Sequence, residues 1–286
     1  MTNDYQVAQQ DIDLLRKAGM NEHDLNHSLK VAAKALEIAR RTGATLDLEL
    51  VGRGALFHDL GKTSTHAMTH GKIGAELGKK LGLPQAITAI MEKHIRGGLT
   101  EAEAVELGLP VKDYTLHRLE ERIIIYADRL VDIIHDGIVE INKEGEAEAR
   151  FVEILTGYPK YGKNEITLKR YLGYHEEIHG LIAGRVIDAP KLAVMLAQGS
   201  ITLLDVRRKS DYEADPGMIP GAIWRDPELV DLWAPELAKA PRTVIYCVRG
   251  GTVSRSVSSK LRQKGVDAAY LDGGIKAWTE QEQTLS

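Results

Sequence analysis

The chain has 286 residues, enough for two domains of about 100–180 residues each. With 43% hydrophobic and 27% charged residues it reads as a folded globular protein and not a disordered one. Its net charge of −4 gives no global drive toward nucleic acid or anionic membrane, and no apolar run is long enough to predict a membrane span. The first residues, MTNDYQVAQQDIDLL, show no basic region followed by an apolar core, so a cytoplasmic protein without a secretory leader is expected. The lone Cys247 excludes an intramolecular disulfide and fits a reducing compartment.

In chain order, helices come first. Leu25, Leu29, Ala32, Leu36 and Ala39 recur at spacings of three and four, the stripe of a helix over 24–40. The pattern continues over 47–60, 72–81 and 85–94, punctuated by Gly82 and Pro84, and again over 119–139. No two-residue alternation is evident before residue 180. The segment 140–180, rich in tyrosine and basic residues, reads either as a cover over a cleft or as a packing helix leading to a linker. Beyond it, short β-rich runs at 201–206, 243–248 and 267–271 alternate with helical stretches at 192–198 and 257–264. That alternation predicts a parallel sheet covered on both faces. All ten histidines lie at or before His179 and all three tryptophans lie after residue 220, which places the boundary near 180–185. The expectation is an all-α helical bundle over 1–180 and an α/β domain over 185–286.

The first half carries a histidine–aspartate series. His27 lies beside the stripe of an early helix. His58 and Asp59 adjoin in ALFHDLGK. Asp128 interrupts the apolar run IIIYADRLVDII. An ionised carboxylate on a buried helix face costs several kcal/mol unless a cation or donor meets it. An arginine would serve for Asp128, and a single histidine would serve as a hydrogen-bonded core residue. Imidazoles and carboxylates together suit Fe, Mn, Zn or Ni.

This ordered series resembles the HD superfamily of metal-dependent phosphohydrolases, named for its His-Asp doublet. HDLGK is similar to the HD-x-G-K form of the motif, LNHSLKVAAKALEIA to the helix with the first histidine, and IIIYADRLVD to the helix with the last aspartate. THGKIGAELGKKLGLP and MEKHIRGG resemble subgroups with two further histidines and two metals. The resemblance covers about residues 20–140 and implies a divalent metal site of one or two ions. His27, His58, Asp59 and Asp128 would hold the first ion. Asp59 would bridge to a second, held by His70 and His94. His66, four residues before His70, offers an alternative on a shared helix face. Two divalent ions against two aspartates leave a charge of about +2, suited to a phosphoester, and a metal pair about 3.5–4 Å apart activates water and stabilises both oxygens of a displacement. Lys62 is the candidate for a phosphate oxygen, with Arg129 beside Asp128 a weaker one. The implied substrate is a nucleotide or related phosphoester. Oxygen-activating di-iron members of the superfamily supply an alternative reading.

In the second half, Cys247 follows the strand-like TVIY and precedes the small-residue loop VRGGTVSRS. Backbone N–H groups at the start of the following helix favour an anionic sulfur, and Arg249 and Arg255 add to that field. A buried structural cysteine is the bland reading. LLDVR, GMIPGA, YCVRGG and LDGGIKAW resemble, in order, the landmarks of a rhodanese domain over 185–286. The resemblance makes Cys247 the nucleophile that takes sulfane sulfur from a donor as a persulfide. Arg249, Gly250, Gly251, Thr252 and Ser254 would cradle the persulfide and substrate anion. Val253 stands where phosphatase-type relatives carry arginine, which argues against phosphatase chemistry at this loop. Asp205 and Arg207 are expected to hold the fold, and Trp278 to lie in the core.

Overall fold

The computed structural model describes residues 5–285. The chain divides into two compact units. One holds the described residues up to Arg41 together with Leu46–Ile178, and the other holds Thr42–Thr45 with the described residues from His179 onward.

The first unit is helical throughout: α1 (Gln9–Lys17), α2 (Glu22–Thr42), α3 (Leu48–Phe57), a 3₁₀ turn (Leu60–Thr63), α4 (His70–Lys80), α5 (Gln85–Lys93), α6 (Glu101–Glu106), α7 (Leu119–His135), α8 (Glu144–Ala149), α9 (Phe151–Gly157), α10 (Pro159–Gly162) and α11 (Glu165–Ile182). The apolar stripe of α2 is buried through Leu25, Ala32, Leu36 and Ala39, joined by Val31, Ala35 and Ile38. Helix α3 starts where the Asp47 carboxylate accepts from the Leu50 amide at 2.9 Å, and α6 starts in a capping box of Thr100 and Glu103. Helix α7 is deeply set as well, with Ile123 to Ala127 buried in an unbroken run. A close approach then shapes the site. A Cβ on Gly61 would collide with the His70 carbonyl, so this glycine lets the 3₁₀ turn lie against the start of α4.

Residues 140–180 resolve the ambiguity of the sequence in both directions. They form α8 to α11, largely packing helices, while Lys163 and Tyr171 border a cavity of the first unit. The expected shared helix face of His66 and His70 is corrected. Helix α4 begins at His70, and His66 lies before it, 66% exposed and 3.2 Å from Asp24.

The second unit is a five-stranded parallel sheet, ordered β1-β5-β4-β2-β3, with β1 (Val186–Ile187), β2 (Thr202–Asp205), β3 (Ile223–Trp224), β4 (Thr243–Tyr246) and β5 (Ala268–Leu271). Helices α12 (Ala189–Ala197), α13 (Lys209–Ala214), α14 (Val230–Trp233) and α15 (Thr252–Gln263) join the strands, and α16 (Gly274–Leu285) follows β5. Successive strand residues feed opposite cores, as parallel strands buried on both faces must. Leu204, Ile245 and Cys247 pack with Trp233, Val257 and Leu261, while Leu203, Val244 and Tyr246 pack with Leu192, Ile219 and the partly buried Trp278. Strands β1 and β3 escaped the sequence reading because two residues carry no periodicity.

Candidate functional site

Five helical segments converge on one polar cluster in the first unit. His27 comes from α2, and His58 and Asp59 from the residues that end α3. His70 opens α4, His94 ends α5, and Asp128 lies in α7. Ligand-type atoms of His27, His58 and Asp128 lie within 4.8 Å of one another, and so do those of Asp59, His70 and His94. The two triads meet at Asp59. Its Oδ1 lies 3.3 Å from His70 Nε2 and 3.4 Å from His94 Nε2. Its Oδ2 lies 3.2 Å from His58 Nε2 and 3.8 Å from His27 Nε2. Asp128 Oδ1 lies 3.0 Å from His27 Nε2. One carboxylate thus faces each triad with a different oxygen.

The imidazoles are held by their outer nitrogens. The Nδ1–H groups of His58, His70 and His94 donate to the carbonyls of Ala55, Ala67 and Met91 at 2.7, 2.7 and 2.6 Å. A carbonyl only accepts, so each Nδ1 carries a proton and each ring turns its Nε2 inward, where a lone pair is free for a cation once the ring is neutral. Two consequences test the fit to a cation. His58 Nε2 is buried with no hydrogen-bond partner. His70 Nε2 and His94 Nε2 stand 2.8 Å apart, where two lone pairs repel unless a positive charge lies between or beside them. Convergent lone pairs, two carboxylates and backbone-anchored imidazoles are the donor set of a divalent metal centre.

Without a cation, the two carboxylates draw protons onto the imidazoles that face them. Burial disfavours the charged forms of Asp59 and Asp128, but the surrounding imidazoles outweigh it and hold both carboxyls well below their usual range. Burial alone would discharge His58, and the Asp59 and Asp128 carboxylates overcome it and raise its pKa. His94 is lowered, chiefly by burial. Lys62, from the 3₁₀ turn, places its ammonium 2.5 Å from Asp59 Oδ2, so it faces the doublet's own carboxylate.

A cavity of about 220 Å³ opens beside this cluster, lined by Asp59, Lys62, His70, His94 and Asp128 among others. Sequence reasoning missed several of its walls. Asp132 follows Asp128 by one helical turn, which the i,i+4 spacing would have revealed. Burial first, and then the Asp128 charge, push its carboxyl up to about 6. Arg129 is buried, with its guanidinium 4.8 Å over the Tyr171 ring and 3.2 Å from the Tyr171 hydroxyl. Arg96, Lys163 and Tyr171 reach the cavity from distant segments with no local signal.

In the second unit, Cys247 follows β4 directly and is 6% exposed. Its Sγ lies 3.3 Å from Ser254 Oγ. Gly250 is buried in the loop with φ 64, and Gly251 precedes the first residue of α15, Thr252, which is exposed. Arg249 is exposed too, whereas the Arg255 guanidinium packs 5.4 Å over the Tyr270 ring. The loop is seated on backbone. The Ile275 amide donates to the Cys247 carbonyl at 2.9 Å, and a Cβ on Gly274 would strike that same oxygen. Asp205 and Arg207 form a buried pair at 2.6 Å, and Arg207 also donates to the carbonyls of Asp215 and Gly217, so both hold the fold.

Comparison with known proteins finds a match in each half of the chain. Residues 24–133 match the HD domain and residues 188–281 the rhodanese-like domain. An uncharacterized protein of Methanocaldococcus jannaschii is 36% identical over 166 residues, which cover 57% of this chain and 91% of that protein. The chain belongs to the HD-domain family, with a rhodanese-like domain C-terminal to the HD domain. A tRNA (cytidine(56)-2'-O)-methyltransferase of Thermoplasma volcanium is 40% identical over 151 residues, covering 53% of this chain but only 40% of that enzyme. Among solved structures, the HD domain of the Listeria monocytogenes phosphodiesterase PgpH, in complex with cyclic-di-AMP, is 24% identical, with a TM-score of 0.39, over 60% of this chain and 94% of that one. HD domains bind divalent metals, and the histidine–aspartate cluster can hold one. No helix among the described residues is long and apolar enough to cross a membrane.

Proposed function

We propose that the first unit hydrolyses a small phosphoester of the nucleotide type, with one or two divalent ions of the Fe, Mn, Zn or Ni class. The observation that carries this reading is Asp59, whose two oxygens face two separate triads of ligand atoms. His27, His58 and Asp128 would hold one ion, His70 and His94 the other, with Asp59 between them. Such ions supply Lewis acidity toward a phosphoryl oxygen and a water made acidic enough to attack at neutral pH. The chain's own residues do the rest. The carbonyls of Ala55, Ala67 and Met91 keep the Nε2 lone pairs inward. Lys62 rests on the Asp59 carboxylate, and with Asp59 engaged as a ligand its ammonium would be free to meet a phosphate oxygen. Water adds to phosphorus, the ester oxygen leaves as the alcohol, and phosphate is the second product.

The second unit forms a persulfide on Cys247. The thiolate attacks the outer sulfur of a donor such as thiosulfate, an S–S bond forms to Cys247, the donor's S–S bond breaks and sulfite leaves. The loop amides from Val248 to Ser254 receive the resulting anion. The substrates proposed are therefore a small phosphoester and a sulfane-sulfur donor, without nucleic acid or membrane, in the cytoplasm.

The test for the first unit is metal analysis with phosphate release from a panel of phosphoesters, on chain grown with ample iron, manganese, zinc and nickel. Hydrolysis that His58→Ala and Asp59→Ala leave at wild-type rate overturns the assignment. For the second unit, thiosulfate should add one sulfur atom in mass to the wild type and none to Cys247→Ser.

A further inference from the structure

Four cationic side chains line the cavity beside the metal centre: Lys62, Arg96, Arg129 and Lys163. Two of them have partners. Lys62 lies on Asp59, and Arg129 lies against Tyr171 and 3.5 Å from Asp132. Arg96 and Lys163 have no ion pair among the described residues. Three carboxylates also line the space, Asp59, Asp128 and Asp132. The first two face the candidate metal sites, which leaves Asp132, already 3.5 Å from Arg129, as the one carboxylate against the remaining cations of the lining. Burial first, and then the charge of Arg129, outweigh the Asp132 carboxylate and, with Arg96, hold the Lys163 ammonium below its usual range. Arg96 is half-buried and Lys163 exposed at the rim, and like charges gathered on one cavity repel unless an anion joins them.

The backbone supplies an independent observation. Among the described residues, only Arg96 and Lys163 are non-glycine residues with positive φ. Arg96 sits at φ 50, ψ 26, and Lys163 at φ 60, ψ −88. Glycine takes positive φ without steric cost, and the chain uses it at Gly97 and Gly98, the next two positions after Arg96. Long cations kept at both strained positions, on two distant segments bordering one cavity, mark a use for their side chains. The Arg96 turn is also clamped. Arg170 donates to the Arg96 carbonyl at 3.0 Å, and the Tyr174 hydroxyl donates to the Gly97 carbonyl at 2.9 Å.

We propose that Arg96 and Lys163 form a second anion subsite next to the metal centre, so that the substrate is a small phosphoester bearing at least two phosphates. This rests on the phosphohydrolase reading and names its substrate class. One phosphate meets the metal centre and Lys62, and the other meets Arg96 and Lys163. The cavity volume agrees, since about 220 Å³ falls below the roughly 300–1,000 Å³ of sites that engulf a whole ligand. It encloses the phosphate-bearing end, and the organic remainder lies outside.

The experiment is calorimetric titration of the full chain, loaded with manganese at buffered free metal, with methylphosphonate and with methylenediphosphonate. Neither probe contains an ester to hydrolyse. Arg96→Gly and Lys163→Gly keep the backbone conformation, so both variants should melt no lower than the wild type. Each should lose about tenfold in affinity for the diphosphonate while binding methylphosphonate as the wild type does. Unchanged diphosphonate affinity in both variants overturns the subsite, because the metals alone then account for the preference. Equal losses for both probes also overturn it, because the residues then shape the whole pocket. Phosphate release is measured separately on the wild type. A selective diphosphonate loss without any hydrolysis keeps the subsite and removes the hydrolase reading, and hydrolysis without the selective loss does the reverse.

Discussion

The two units build their candidate sites from opposite materials. In the HD unit the site is made of side chains that arrive from five separate helical segments and meet at Asp59. The backbone acts at one remove, by anchoring the Nδ1–H of His58, His70 and His94. In the rhodanese-like unit a single strand–loop–helix passage supplies the cysteine and the amides, and the start of α16 seats that loop. There the candidate site is a backbone loop, with Ser254 as the polar side chain that meets Cys247. A cation needs lone pairs converging from several directions, which one short segment cannot offer. A sulfur anion is met by consecutive N–H groups at the start of a helix, which one short segment provides.

That contrast predicts which substitutions hurt in each unit. The largest effect should come from Asp59→Ala, which takes a donor from both triads. Metal affinity should fall by at least about 100-fold, since loss of even an outer partner costs 10–100-fold. Equilibrium dialysis with elemental analysis measures it, and retained stoichiometric metal would break the comparison on the HD side. Next is Gly274→Ala in the second unit. A Cβ there strikes the Cys247 carbonyl at a residue with φ 61, and the strain and displacement together should cost about 3 kcal/mol. Denaturant unfolding and the thiosulfate adduct should both respond. An unaffected adduct would mean that the loop does not depend on its backbone seat.

A smaller effect is expected at Glu103, which caps α6 and meets Arg170 at 2.5 Å. Burial raises its pKa, but the Thr100 bonds and Arg170 prevail, so its carboxyl titrates below the usual range. A depressed carboxylate stabilises the fold above its unfolded pKa of about 4.3 and loses that contribution as pH falls through the lower folded value. Glu103→Gln should therefore cost about 2 kcal/mol at neutral pH and flatten the acid limb of the stability profile. An acid limb as steep as the wild type's would remove Glu103 from the account. Smallest is Ser254→Ala, which removes one 3.3 Å contact to Cys247 Sγ. A change of about 0.5 kcal/mol in stability is expected, with persulfide formation intact. A full loss of the adduct would show that a side chain, and not the backbone, governs this loop.

The legibility of the sequence follows the same division. The apolar stripe of α2 and the run in α7 announced buried helices, because a period near 3.6 survives in linear order. The alternation of β2, β4 and β5 with helices announced the parallel sheet. Strands β1 and β3 stayed hidden because each is two residues long and exists through its pairing with β5 or β2. His66 and His70 were indistinguishable on paper. Folding separates them, because α4 starts at His70 and the Gly61 contact presses that first turn onto the His58–Asp59 end of α3.

Linear order thus decided which segments are buried and which chemical groups are available, since periodicity, doublets and loop composition are local properties of a chain. Tertiary packing alone decided that Asp59 turns one oxygen to each triad, that Lys62 rests on that carboxylate, and that Arg96 and Lys163 border the same cavity from positions 67 residues apart in the chain. Those facts depend on the direction of side chains across helix contacts, and no local pattern encodes a direction set by a partner so far away in sequence.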